Sequence, residues 1–65
     1  MTIFDATMIA EGNPELAGIA GADLTEETVI EAWQLLIDTG TVWKLQGYFG
    51  RTAANLIEQG VCTPA

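Results

Sequence analysis

The chain has 65 residues, one cysteine and no histidine, and sets two basic side chains against nine acidic ones for a net charge of −7. This inventory excludes an intrachain disulfide and a Cys/His zinc site, and leaves a chain at the margin of what one hydrophobic core can stabilise. Hydrophobic residues make up 49% of it, an excess that self-association or a partner would help to bury.

Residues 2–11, TIFDATMIAE, place apolar side chains at Ile3, Phe4, Ala6, Met8 and Ile9, and are read as a short helix. Gly12, Pro14, Gly18 and Gly21 then break the stretch to Asp23 into loop or a single helical turn, with Asn13 placed to cap a turn begun by Pro14. Thr25 opens the clearest helix, 25–39. Its hydroxyl can accept from free backbone amides, and Glu26 and Glu27 stand where the helix dipole favours anions. Val29, Ala32, Trp33, Leu36 and Ile37 form one apolar stripe, while Glu27, Glu31, Gln34 and Asp38 recur on the opposite face. Gly40 supplies a left-handed stop.

A short helix over 41–46 follows, with Thr41 as its cap and Val42, Trp43 and Leu45 as apolar members. Gly47-Tyr48-Phe49-Gly50 reads as a tight turn. The last helix spans 51–59 with Ala53, Leu56 and Ile57 inward, and Gly60 ends it before a tail that contains Pro64. No stretch alternates as a strand does. The expected fold is all-α: a small bundle of three to four short helices in one domain, 1–65, with a helix–turn–helix-like C-terminal half. Its expected core is Val29, Ala32, Trp33, Leu36, Ile37, Val42, Leu45, Ala53, Leu56 and Ile57.

Charge is divided along the chain. Residues 1–40 hold eight acids and no base, whereas Lys44 and Arg51 face only Glu58 in the remainder. Such a chain repels a nucleic-acid backbone, whose affinity comes from neutralised phosphates, and suits a basic protein surface. The longest apolar runs are three residues, against about 20 for a membrane span. The start, MTIFDAT, lacks the basic residues of a signal peptide. A cytoplasmic setting is expected, without a membrane partner.

Several motifs bear on chemistry. Asp38-Thr39-Gly40 matches the tripeptide of aspartic proteases, but those need two aspartates on β-loops sharing a proton; here it reads as a helix end. Asn13, Glu15, Asp23 and Glu27 do not have the spacing of a calcium loop and read as a solvated acidic face. Gly47-Tyr48-Phe49-Gly50-Arg51-Thr52 is the sharpest candidate. A Gly-x-x-Gly turn lets backbone amides approach a ligand, a helix N-terminus favours an anion, and Arg51 can hold a carboxylate or phosphate. KH domains clamp nucleic-acid backbone with such a loop, but need strands that are absent from this reading. The competing reading is a helix corner with the aromatics in the core and Arg51 paired to Glu31 or Asp38. A DNA-reading helix needs several long polar side chains, and Arg51 to Asn55 offer few. Trp33 and Trp43 read as core, and Cys62 has no base beside it.

The string from Leu36 to Gly60 contains W-x-L-Q-G-x-[YF]-G-R-x-A-x-x-L-I, carried by Trp43, Leu45, Gln46, Gly47, Phe49, Gly50, Arg51, Ala53, Leu56 and Ile57. It resembles a family of very small proteins encoded by tailed bacteriophages. The resemblance implies a setting, the cytoplasm of an infected bacterium, and no mechanism. With no catalytic constellation and no cofactor motif, the expectation is a non-enzymatic phage accessory protein. It would bind and modulate a host protein, in host takeover or anti-defence, with Glu27, Glu31 and Asp38 as contacts. The alternative is an oligomeric sponge in which Gln46, Gly47, Tyr48, Gly50, Arg51 and Thr52 hold a nucleotide or another anionic ligand. A structural component of the phage particle is a third reading.

Overall fold

The computed structural model describes residues 1–19 and 23–65. These form three α-helices, α1 (Ile3–Ala10), α2 (Glu26–Asp38) and α3 (Gly47–Glu58), with short 3₁₀ helices at Pro14–Ala17 and Thr41–Lys44. The all-α expectation holds, and no strand occurs among the described residues. Gly21, read as part of the first loop, lies outside them.

Helix α1 begins with a reciprocal cap. The Thr2 hydroxyl accepts from the Asp5 amide at 3.1 Å, and the Asp5 carboxylate accepts from the Thr2 amide at 3.3 Å. Two donors that the helix would leave free are thereby satisfied. Ala6, Ile9 and Ala10 face the core, whereas Ile3 and Phe4 stay exposed. Gly12, at φ 87°, closes α1 in a Schellman arrangement: its amide donates to Ile9 at 3.1 Å and that of Asn13 to Met8 at 2.9 Å. Asn13 stands at the capping position of the turn begun by Pro14, as expected, and its carbonyl accepts from the Leu16 amide at 3.1 Å, but the cap is made by backbone alone. Its amide is committed to the end of α1, and at ψ 57° its side chain makes no capping bond to the turn begun by Pro14.

Helix α2 is the spine. Thr25 caps it through the Thr28 amide at 3.1 Å, and Ala32, Trp33, Leu36 and Ile37 are buried. Gly40, at φ 75°, terminates it as expected. The segment after it is a four-residue 3₁₀ turn rather than a helix to 46, with Gly40 and not Thr41 at the capping position. The Thr41 hydroxyl instead pairs with that of Thr39 at 2.9 Å. Val42 is fully buried by this turn, while Trp43, expected inside, is 51% exposed.

Helix α3 starts four residues earlier than the sequence suggested. Gly47 to Gly50 are its first turn and not a tight turn, and neither glycine has a positive φ. The cause is Phe49. It is buried to 3% exposure, packs on Trp33 at 5.8 Å between ring centroids, and stands one turn before buried Ala53. Extending the helix backwards keeps both on one stripe. The end of α3 repeats the Schellman closure of α1, with Gly60 donating to Ile57 at 3.1 Å and Val61 to Leu56 at 2.9 Å. Six of the ten expected core residues are buried, and Val29, Leu45, Leu56 and Ile57 pack against them half-buried; Ala6, Ile9, Ala10, Phe49 and Cys62 are the other buried core members among the described residues.

Candidate functional site

The structure separates the residues singled out in the sequence into two places. Glu27, Glu31 and Asp38 lie on the outer face of α2, whereas Gln46, Gly47, Tyr48, Gly50, Arg51 and Thr52 belong to the start of α3.

At the start of α3, several side chains already serve the fold. The Tyr48 hydroxyl donates to the Ala10 carbonyl at 2.7 Å, satisfying an acceptor at the end of α1 that the helix itself leaves open. Its ring meets Phe49 edge-on at 4.7 Å and Trp33 at 6.4 Å. Gly50 lies beneath Trp43, whose Cε3 would be 3.6 Å from a Cβ placed there. Thr52 is half-buried, and Gln46 occupies the capping position with an exposed side chain that makes no capping bond. Arg51 is exposed, the fifth residue of α3 rather than its first. Its guanidinium folds back along the helix, with Nη1 3.0 Å from where a Cβ on Gly47 would sit. The expected pairing with Glu31 or Asp38 is absent: among the described residues no carboxylate is within ion-pairing distance of Arg51 or Lys44.

The outer face of α2 is different. Glu27, Ile30, Glu31, Gln34, Leu35 and Asp38 line, together with Met1, an open groove of ≈ 490 Å³. Their spacing alternates three and one, so they form the complete stripe opposite the buried one. The sequence placed the acids on this face but missed Ile30 and Leu35, whose side chains are half-buried. They were legible as apolar residues at the edges of the acidic stripe. Gln34 is not a free surface residue either. Its Nε2 donates to Asp38 at 2.9 Å and to the Thr63 carbonyl at 2.8 Å, and its Oε1 accepts from the Thr63 amide at 2.9 Å. This paired contact holds the C-terminal segment against α2.

That segment carries Cys62 into the core. Burial, and secondarily the charge of Asp38, push its thiol pKa up, the reverse of what a nucleophilic thiolate needs. Among the described residues no three acidic or cysteine side chains gather to hold a metal ion, and no helix is long and apolar enough to cross a membrane.

The chain belongs to the family described as a domain of unknown function (DUF7417), whose model matches residues 15–65. That match includes α2, α3 and every residue of both candidate surfaces except Met1, and leaves α1 outside it. No curated protein and no solved structure matches the chain.

Proposed function

We propose that this protein is a non-enzymatic phage accessory protein of the host cytoplasm, and that it modulates a host protein by laying the acidic face of α2 on a basic surface. The phage setting rests on the resemblance of Leu36–Gly60. The contact surface rests on one observation, the groove on α2 lined by Glu27, Glu31 and Asp38. Local energetics favour part of this arrangement and disfavour the rest: Glu27 gains from the dipole in the first turn of α2 and Asp38 accepts a bond from Gln34, whereas Glu31 has neither. Glu27 and Glu31 are like charges one turn apart, which costs about 0.2–0.5 kcal/mol. Asp38 is an acid at the negative end of the helix dipole, which costs about 0.3–1 kcal/mol. None of the three is paired with a base among the described residues. Glu31, held without a local partner, is the charge of this row that the chain itself does not account for. A row of carboxylates along a helix suits a site that is basic because it receives nucleic acid, and occupying that site is the modulation.

Capture from host lysate at low salt tests this, comparing wild type with the triple variant Glu27→Lys, Glu31→Lys, Asp38→Lys. Wild type should retain one protein stoichiometrically, and the triple variant, still helical by circular dichroism, should lose it. Retention by both, or by neither, overturns the proposal.

A second reading, an anion held at the start of α3, is favoured by the backbone there. The helix opens with no side-chain cap and no acid in its first turn, and Arg51 arches over Gly47. Calorimetry with a nucleotide panel should then give heat that Arg51→Ala abolishes; silence from wild type removes this reading.

A further inference from the structure

We infer that the occupant of the α2 groove is a basic amphipathic helix of about three turns. This rests on the outer face of α2 being the contact surface and specifies what that surface receives. The α2 lining residues run from Glu27 to Asp38, about 16 Å along the axis at 1.5 Å per residue, so the lining is a strip along one helix rather than a single point. A helix laid along it offers side chains at the same three- and four-residue spacing as the face it meets.

The chemistry of the lining sets the chemistry of the occupant. Met1, Ile30 and Leu35 give apolar contacts within the groove, and Glu27, Glu31 and Asp38 give negative charge along it. The partner helix therefore needs apolar residues on one stripe and Lys or Arg beside them. A single cation is a poor match, because the carboxylates do not gather as metal ligands among the described residues; they are spaced for a row of cations. A second copy of this chain is also a poor match. At net charge −7 two copies repel, and each offers only Lys44 and Arg51, which stand on different elements.

Two synthetic peptides of about 15 residues test the inference. Both consist of leucine and lysine in the same numbers; one repeats leucine every three and four positions, and the other scatters it. Calorimetry gives affinity, and amide chemical shifts locate the contact. The patterned peptide should bind with shifts concentrated on 27–38. Glu27→Gln and Glu31→Gln should each weaken it about two- to five-fold, and the scattered peptide should bind at least about tenfold more weakly, having lost the apolar contacts. Equal binding of the two peptides would overturn the helical occupant while leaving the acidic face as contact surface. Shifts centred on α3, or no binding by either peptide, would also overturn it, with the lysate capture deciding separately whether the acidic face binds a host protein. Concentration-dependent shifts of 27–38 without peptide, together with dimer mass in sedimentation, would assign the groove to a second copy and refute the inference.

Discussion

Replacing Gly50 by alanine separates the helix seen at Gly47–Gly50 from the tight turn that its sequence suggests, because the two geometries give opposite signs. Gly50 has no positive φ, and an added Cβ would lie 3.6 Å from Trp43 Cε3 and 3.9 Å from Cζ3, ordinary van der Waals contact. Alanine in a helix is favoured over glycine by about 0.5–1 kcal/mol, because glycine loses more backbone freedom on folding. For a domain of this size, that gain raises Tm by roughly 2–8 °C. Gly47→Ala is the milder companion. Its Cβ would meet Arg51 Nη1 at 3.0 Å, the far end of a flexible side chain that can swing aside, so stability should change little. Gly40→Ala is the control. At φ 75° the new side chain is strained, and a loss of about 1–2 kcal/mol is expected. Thermal melts followed by far-UV circular dichroism, with urea titrations read from the buried Trp33, measure all three. If Gly50→Ala destabilises as Gly40→Ala does, the helical start of α3 is wrong and the ligand-cradling turn returns.

Tyr48→Phe should lower stability by about 0.5–1.5 kcal/mol, the usual net value of one hydrogen bond, since it removes the 2.7 Å bond to Ala10; an unchanged urea midpoint would show that this hydroxyl does not tie α1 to α3. Gln34→Ala should speed hydrogen exchange at the Thr63 amide, which donates to Gln34 at 2.9 Å, and unaltered protection there would refute the clamp. The raised thiol pKa of Cys62 gives a pH dependence of definite sign. The unfolded chain releases the thiol proton first, so this contribution is complete below the unfolded thiol pKa of about 8.5 and is lost as pH rises through the higher folded value. Urea titrations should show wild type losing stability above that pH more steeply than Cys62→Ala; equal slopes would refute it.

The fold was legible in the sequence where a local signal and the apolar period agreed. Thr25, the stripe Ala32-Trp33-Leu36-Ile37 and Gly40 mark α2 in this way, and each took its expected role. Errors arose where a residue type was given more authority than the period. Two glycines made Gly47–Gly50 look like a turn, although Phe49 stands four residues before Ala53 and already continues the stripe. Glycine permits a positive φ without requiring one. Asn13 takes the capping position its type suggested, but its side chain makes no capping bond, and its amide serves the Schellman closure at Gly12. The Thr2–Asp5 capping box was available in the sequence and was missed. Contacts such as Tyr48 to Ala10 and Gln34 to Thr63 are separated by 38 and 29 residues, and no local pattern encodes them.

The two candidate surfaces differ in how much of their composition the fold explains. At the start of α3, Tyr48 ties α1 by its hydroxyl, Phe49 fills the core and Gly50 lies under Trp43. A requirement for those residues follows from packing alone, and Arg51 stands apart from them. On the outer face of α2 the balance reverses. Gln34 holds the C-terminal segment and donates to Asp38, and Glu27 gains from the helix dipole in the first turn, but neither Glu27 nor Glu31 makes a side-chain hydrogen bond or ion pair among the described residues, and the two repel one another at one-turn spacing. Neutralising Glu31 should therefore leave stability unchanged or raise it by about 0.2–0.5 kcal/mol, as relief of like charges does, whereas at Glu27 the same relief is offset by the lost dipole interaction. A loss near 1 kcal/mol in Glu31→Gln alone, measured by urea unfolding, would reveal a structural duty for this carboxylate and remove the main reason to assign it to a partner.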